Sequence, residues 1–319
     1  MRRRLQQVSK YFSGKWIEMS TKTFCILLTT LLVSTILDAQ LVLTNRAARL
    51  CQEKDYAGAR EAITLALESE DEKNHPYAWY VSGFIHKEIY KALETGMRSS
   101  TARAAAVRDM EKSLNLDTGG EYRKMTCEAL RYLATTYLND ALLMTRDMTP
   151  GAEQEPELVY SEFERIMAIA DPRADLLPYR LEMLRKLAQA HYLLWEKNVT
   201  KRNHYDLAVG YYQQVLKVEP ADCESNCNLA ILYYNNGVHK IRMISSTTDM
   251  MDLILIQNEC IELFRLALPL AETTFNSCPP RLDYYKAMMF IHRALGNEDL
   301  YDEYKSHSEE LIRSGKLKY

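Results

Sequence analysis

The residues best placed to do chemistry are a histidine and a pair of cysteines. His86-Lys87-Glu88 has the H-x-E spacing by which zinc deaminases bring a metal ligand and a general acid together. Those enzymes also need a P-C-x-x-C segment, which this sequence lacks. The motifs of zinc proteases, P-loop proteins, serine hydrolases and dinucleotide-binding domains are absent too. We therefore predict no enzyme activity and no cofactor, and interpret His86 as a core or surface histidine.

The cysteine pair is Cys223 and Cys227, four residues apart. On a helix they would share one face and could supply half of a tetrahedral metal site. No second pair of cysteines or histidines with matching spacing lies nearby. The favoured interpretation is small buried residues in a helix interface, so no metal is predicted.

The first 39 residues differ from the remainder. Lys22 precedes an uncharged, mostly apolar stretch at residues 24–37, and Leu37-Asp38-Ala39 follows. This order is typical of a secretory signal peptide cleaved after Ala39, which leaves residues 40–319 as the mature domain. Residues 1–18 then resemble an N-terminal extension that results from assigning the start of the chain too early. The alternative is an uncleaved membrane anchor, although a span needs about 20 apolar residues. The sequence predicts an exported protein, periplasmic or associated with the cell envelope, without membrane insertion after cleavage.

Composition favours an elongated helical domain. The chain has 319 residues but only 11 glycines and 9 prolines, and residues that favour helices dominate. Hydrophobic residues make up 47% of the chain, enough for a packed core. The formal charge of −3 without a concentrated basic face gives no indication of nucleic-acid binding.

A helix-and-turn unit recurs along the chain, most clearly at residues 205–220. Ala208, Tyr212 and Val215 fall at i, i+4 and i+7 and form one apolar stripe, and Pro220 ends the unit. The unit resembles the second helix of a tetratricopeptide repeat. Similar patterns of small, apolar and aromatic residues recur elsewhere: Ala59, Ile63 and Ala66; Trp79 and Gly83; Ala106, Met110 and Ser113; Leu133-Ala134 and Tyr137; Leu187-Ala188 and His191; Leu229-Ala230 and Tyr233; residues 285–296 and 301–311.

This resemblance covers about residues 41–312 and implies an all-α fold. The expected architecture is an α-solenoid of about six helix pairs forming a right-handed superhelix. Extra residues near 94–101, 145–157, 197–204 and 243–250 fall between the two helices of a pair. Thr145 to Glu157, with Pro150, Gly151 and Pro156, is the longest and is expected to be a mobile loop. In this register Cys223 begins a first helix and Cys278 ends its partner. A disulfide between them is therefore possible.

The resemblance also implies a binding groove lined by first-helix residues. Those assigned to it are Tyr77, Tyr80, Phe84, Lys87, Arg131, Asn139, Arg185, Gln189 and Tyr192. Aromatic anchors beside arginine are typical of peptide-binding surfaces. The alternative is that Glu128–Arg131 and Glu182–Arg185 are ordinary i, i+3 pairs on a solvated face. We expect Tyr80, Arg131 and Arg185 to face one continuous surface.

The predicted function is that of an extracytoplasmic adaptor that binds a protein or peptide in this groove. The alternative is an accessory binding protein for envelope carbohydrate or polymer, since tyrosine rings also stack on sugars.

Overall fold

The computed structural model describes residues 41–316, and this part of the chain is all-helical. The predicted signal peptide lies outside the described residues. Between residues 41 and 316 there are twelve α-helices and no strand. They are α1 (Val42–Gln52), α2 (Tyr56–Glu68), α3 (Pro76–Ile89), α4 (Thr101–Leu116), α5 (Arg123–Arg146), α6 (Glu155–Ala170), α7 (Leu177–Lys197), α8 (Arg202–Val218), α9 (Cys223–Arg242), α10 (Met250–Ser277), α11 (Leu282–Ala294) and α12 (Glu298–Arg313).

These helices form two compact units, residues 41–133 and 134–316, which we call unit 1 and unit 2. The predicted all-α class is confirmed, and the twelve α-helices of the described residues match the six expected pairs in number. Consecutive helices pack as hairpins in each unit: α1 with α2, α3 with α4, α7 with α8, α9 with α10, and α11 with α12. Short connections make such neighbours antiparallel.

The core of each helix pair is built from the positions that the repeat pattern predicted. The second-helix stripes in α2, α4 and α8 are at most 1% exposed: Ala59, Ile63, Ala66, Ala106, Met110, Ser113, Ala208, Tyr212 and Val215. Small residues at these positions let two helices approach closely. At Gly83 in α3 a Cβ atom would lie 2.8 Å from Met110 Cγ and 3.1 Å from the carbonyl oxygen of Ala106. The α3–α4 crossing therefore requires glycine.

The first helix of unit 1 begins with a cap supplied from a distance. Leu41 precedes α1 and has no side-chain oxygen to accept from the free N–H groups of the first turn. The buried carboxylate of Glu72, which follows α2, accepts from the backbone N–H groups of Leu43 and Thr44 at 3.0 and 2.9 Å. It also accepts from the Thr44 hydroxyl at 2.7 Å. This carboxylate ties the start of α1 to the end of α2.

Of the four stretches of extra residues, 94–101 and 243–250 lie almost entirely between α-helices, whereas the other two are partly helical. α5 continues to Arg146 and α6 begins at Glu155, so only residues 147–154 of the stretch 145–157 connect them. Residues 198–201 are all that separates α7 from α8. The expectation of a long loop at 145–157 is therefore wrong in extent. Pro156, one of its supposed helix breakers, lies in the first turn of α6, where no earlier carbonyl needs its missing N–H.

Candidate binding surface

A row of half-exposed aromatic rings lies on α3 in unit 1. Pro76 opens this helix and the His75 side chain accepts from the Tyr77 N–H at 3.2 Å, which fixes where the helical register starts. Tyr77, Tyr80 and Phe84 then share one face, with successive ring centroids 6.2 Å apart. Lys87 continues the row, its Nζ 4.3 Å from the Phe84 centroid. Four of the residues assigned to the groove therefore form one surface.

The beginning of α5 adds two tyrosines to this row. Tyr122, just before the helix, lies 5.2 Å from Tyr77 between ring centroids. Tyr132, 42% exposed, has its ring centroid 5.9 Å from Lys87 Nζ. We call Tyr77, Tyr80, Phe84, Tyr122 and Tyr132 the aromatic stripe. Sequence reasoning missed Tyr122 and Tyr132. The tetratricopeptide register assigned Arg131 and Asn139 of α5 to the groove instead. No local sequence pattern shows which tyrosines face α3.

The charges around the aromatic stripe are of both signs. Burial raises the pKa of the Tyr80 hydroxyl, and the neighbouring Tyr77 and Glu128 raise it further. Lys87 Nζ lies 3.1 Å from Glu88. Burial raises the pKa of Tyr122 to about 12, helped by its hydrogen bond to Glu121. Tyr80 and Tyr122 therefore stay neutral at physiological pH and offer ring faces and hydroxyl groups.

Unit 2 contains a separate cavity that holds two more of the assigned residues. Asn139 on α5 and Gln189 on α7, both exposed, line a cavity of about 670 Å³. Leu143 and Leu193 contribute its apolar wall and are 46% and 45% exposed. Thr145, Arg146 and Lys186 add further polar side chains, so the cavity combines an apolar wall with polar and cationic groups.

Arg185 and Tyr192 on α7 are engaged with neighbouring side chains. One guanidinium nitrogen of Arg185 lies 3.6 Å from Glu219 and 3.5 Å from Asp222, and the Arg185 side chain is only 19% exposed. The Tyr192 hydroxyl donates to Glu196 and accepts from the Asn235 amide at 2.7 Å. Burial, then Glu196, raises the pKa of Tyr192 well above its usual range. These contacts stabilise the packing of unit 2.

Arg131 is half-buried on α5 in unit 1. The expectation that Tyr80, Arg131 and Arg185 share one continuous surface extends over both units and stays a prediction.

His86 takes part in a buried polar network. The Ser82 hydroxyl donates to Asp109 Oδ2 at 2.8 Å, and His86 Nδ1 lies 2.9 Å from the same oxygen. Asp109 on α4 is 1% exposed. Serine and histidine both bond the carboxylate, whereas a nucleophilic triad needs the serine bonded to the histidine. The network joins α3 to α4.

The cysteines of unit 2 form a disulfide and a buried thiol. Cys223 and Cys278, the pair singled out in the sequence, are linked, with Cα atoms 6.0 Å apart. Burial raises the pKa of the neighbouring Cys227 thiol to about 11, and Asp283 adds to this. A thiol in that state is a poor nucleophile and a poor metal ligand. Within residues 41–316 no cluster of three potential metal ligands occurs.

Comparison with known proteins gives only distant similarity. No protein-family model and no curated protein matches the chain. Among solved structures, the chain is similar to PilW, described as a widely conserved type IV pilus biogenesis factor. The identity is 16% and the TM-score 0.34, over 86% of this chain and 94% of that one. It is also similar to a monomeric mutant of IFIT1 with Gppp-AAAA, at 10% identity and TM-score 0.34, over 80% of this chain and 46% of that one. Neither similarity is close enough to bear on function. Along residues 41–316 no helix is both long and apolar enough to cross a bilayer.

Proposed function

We propose that this protein is a non-enzymatic adaptor that holds a peptide segment of a partner protein on the aromatic stripe of unit 1. The observation that carries the proposal is the continuous row of half-exposed rings on one face of α3, extended by Tyr122 and Tyr132. Tyrosine offers a large contact area at low cost in side-chain entropy. Rings spaced 6.2 Å apart along a helix suit an extended chain, whose alternate side chains lie at a similar spacing.

The chemistry around the stripe favours a peptide with apolar side chains and a carboxylate. Lys87 and Lys91 lie beside Tyr132, each with Nζ about 6 Å from its ring centroid. Lys91, whose side chain is 45% exposed, can turn toward an acidic group, because exposed lysine side chains exchange partners at little cost, whereas the Lys87 side chain is only 15% exposed. A carbohydrate would use the same rings without needing the lysines. Dependence of binding on the lysine charges therefore distinguishes a peptide from a carbohydrate.

The proposed location is outside the cytoplasm. The apolar stretch at residues 24–37 supports export, and the disulfide between Cys223 and Cys278 supports an oxidising compartment.

The test compares a stripe variant with a matched control on the protein as isolated from cells. The stripe variant is Tyr80→Ala with Phe84→Ala, and the control is Leu158→Ala, an exposed apolar residue on α6. A partner is first captured with wild-type protein, and its bound segment is then synthesised as a peptide for titration. We expect the stripe variant to bind at least about tenfold more weakly, because buried aromatic anchors contribute about 1–2 kcal/mol each. The control should bind like wild type.

Two results would count against the proposal. Equal affinity of the stripe variant and wild type would remove the stripe as the binding surface. Capture of glycans instead of peptides, unaffected by Lys91→Gln, would favour the carbohydrate-binding alternative.

A further inference from the structure

A small cleft lies between α9 and α11 in unit 2. Both helices pack against α10, and since each runs antiparallel to it, they lie side by side in the same direction. The cleft has a volume of about 320 Å³, and its lining includes Tyr234 and Asn235 of α9 and Asp283, Lys286 and Phe290 of α11. This volume lies at the lower end of the range for small-molecule sites. The cleft therefore suits one or two ring-sized groups of a ligand better than an extended peptide segment.

Two aromatic rings form the apolar part of the cleft. The ring centroids of Tyr234 and Phe290 lie 6.2 Å apart, with 25° between the ring planes. Phe290 is 41% exposed and Tyr234 is half-buried, so ring surface is open to a ligand. The negative face of an aromatic ring attracts the C–H groups on the face of a sugar ring, whose hydroxyl groups stay free at the edge to form hydrogen bonds. This pair of rings therefore suits a sugar.

Cations flank these rings on both sides. Lys286, Phe290 and Arg293 lie at i, i+4 and i+7 on α11, so one cation lies about one turn to either side of Phe290 on the same face. Arg242, the last residue of α9, adds a third cation. Burial raises the pKa of the Tyr234 hydroxyl, and Arg242 and Arg293 oppose this shift, which places both guanidinium groups near that hydroxyl. All three cations are exposed, and none forms an ion pair with another part of the described chain.

This concentration of unpaired cations stands out because unit 2 is acidic. Its aspartates and glutamates outnumber its lysines and arginines. Arg293 also lies over Tyr301, with Cζ 5.2 Å from the ring centroid, which positions the guanidinium without neutralising its charge. Charge complementarity therefore indicates an anionic ligand. A carboxylate fits, because the planar guanidinium fork of arginine binds both of its oxygens.

The remaining polar groups of the cleft favour a sugar as the carrier of that carboxylate. The Asn235 amide donates to the Tyr192 hydroxyl at 2.7 Å, and the amide oxygen can accept. The Asp283 carboxylate bonds Arg281 at 2.9 Å and is 54% exposed, so it can accept a second hydrogen bond. Sugar hydroxyl groups donate to such acceptors, whereas the phosphates of a nucleic acid have no hydrogen to donate. The acidic surroundings of unit 2 also repel a dense polyanion.

We propose that the α9–α11 cleft binds a carboxylate-bearing sugar, such as the uronic acids of an anionic polysaccharide. The sugar ring packs on Tyr234 and Phe290, and its carboxylate pairs with Arg242 or Arg293. Its hydroxyl groups bond the amide and carboxylate oxygens beside the rings. The inference does not depend on the aromatic stripe, which lies in unit 1.

The first experiment uses calorimetry to titrate the protein as isolated from cells with tetrasaccharides of galacturonate, glucuronate and mannuronate. Each is compared with the neutral tetrasaccharide obtained by reducing its carboxylates to alcohols. At least one uronate should bind about tenfold more tightly than its neutral counterpart, because only the uronate forms charge-assisted hydrogen bonds. Added salt should weaken binding of the uronate and leave binding of the neutral sugar unchanged. If none of the uronates binds, or if the neutral counterparts bind equally well, the proposal is wrong.

The second experiment uses cleft variants with matched controls. Phe290→Ala removes one of the two rings and should weaken uronate binding at least about tenfold. Lys286→Gln with Arg293→Gln should bind the uronate only as weakly as wild type binds the neutral sugar. Tyr179→Ala, at an equally exposed aromatic residue of α7, and Lys217→Gln, at an exposed lysine of α8, should bind like wild type. Uronate binding that survives both cleft variants overturns the cleft as its site.

Other ligands and the other surface are tested in the same titration. A single-stranded oligonucleotide and a glutamate-rich peptide should not bind through the cleft. If either binds more tightly than every uronate and Phe290→Ala abolishes that binding, the cleft serves another class of ligand and the proposal is overturned. The stripe variant, Tyr80→Ala with Phe84→Ala, should bind uronates like wild type. Loss of uronate binding in the stripe variant would assign the sugar to unit 1 and contradict the cleft.

Discussion

The α3–α4 hairpin of unit 1 and the α7–α8 hairpin of unit 2 hold a histidine at the same repeat position. His86 and His191 each lie three residues after the small residue of the first helix, Gly83 or Ala188. His86 bonds the carboxylate of Asp109 at 2.9 Å.

His191 instead stacks on Tyr211, with ring centroids 5.7 Å apart, and its Nδ1 lies 3.0 Å from Nδ1 of His204. Asp109 and Tyr211 are themselves equivalent, each three residues after the small residue of the second helix. The repeat register thus determines which side chains meet. A single residue on the second helix determines whether the histidine meets a carboxylate or an aromatic ring.

The largest expected consequence of this difference is acid sensitivity in unit 2. Burial, helped by the neighbouring His204 and opposed by Glu153, lowers the pKa of His191 to about 4. The unfolded chain has an ordinary histidine pKa near 6.5, so it binds the proton first as the pH falls. The contribution of a neutral His191 is therefore complete above about pH 6.5 and is lost progressively down to about pH 4. The loss is at most about 3 kcal/mol.

His191→Gln tests this directly, since glutamine is polar but does not titrate. Urea unfolding of the variant should depend less on pH between about 4 and 6.5 than unfolding of wild type. His307→Gln, at an exposed histidine on α12, serves as the control and should follow wild type. If wild type and His191→Gln lose stability in parallel over this interval, the buried histidine pair is not the cause.

The second prediction compares a glycine in each unit. An added Cβ at Gly83 would approach Met110 Cγ to 2.8 Å and a backbone carbonyl oxygen to 3.1 Å. An added Cβ at Gly210, within α8, meets nothing within 4 Å. Gly83→Ala should destabilise by about 1–2 kcal/mol, since overpacking outweighs the gain in helix propensity. Gly210→Ala should stabilise by about 0.5–1 kcal/mol, because alanine only restricts the unfolded chain.

Denaturant titration of both variants measures the two changes in free energy of unfolding. Opposite signs would show that the close helix crossing is specific to Gly83. A stabilising Gly83→Ala would mean that α3 and α4 can separate without cost, and it would remove the basis for equating Gly83 with Ala188.

The sequence predicted the helix pairs well because their signal is local. Small and apolar residues at fixed spacing define one buried face, and the stripe Ala208, Tyr212 and Val215 is at most 1% exposed, as expected. Helix lengths were predicted less well. Within residues 145–157, proline and glycine were interpreted as loop signals. α5 nevertheless continues to Arg146, and Pro156 lies in the first turn of α6. A proline shows where a helix cannot continue, and also where one can begin.

The binding residues were harder to predict because their partners are distant in sequence. Arg185 has the same register as Tyr80, and on pattern alone both were assigned to the groove. The acidic partners of Arg185 are Glu219 and Asp222, which lie between α8 and α9, more than thirty residues away. No local sequence pattern shows that the segment between α8 and α9 places acidic residues against α7. The α5 contribution of Tyr122 and Tyr132 to the stripe depends in the same way on how two helices meet.

The smallest expected effects come from the equivalent arginines of the two units. Arg185→Ala leaves Asp222, whose side chain is 14% exposed, with only its capping bond to the Ser225 N–H. We expect unfolding to become easier by about 1 kcal/mol, at the upper end for a partly exposed ion pair. Arg185→Lys should recover part of this lost free energy of unfolding. The positive charge remains, although lysine cannot reproduce the geometry of the guanidinium contacts.

Arg131→Ala should change the free energy of unfolding by about 0–1 kcal/mol, the range for a half-buried or exposed ion pair. It should also weaken binding of the partner peptide, because Arg131 lies one helical turn from Glu128, which acts on Tyr80 of the aromatic stripe, and a guanidinium can pair with a carboxylate. Peptide titration of both variants should therefore rank Arg131→Ala as the more damaging to binding. If Arg185→Ala weakens peptide binding while Arg131→Ala does not, binding depends on α7 of unit 2. The cavity lined by Asn139 and Gln189 then replaces the stripe as the candidate surface.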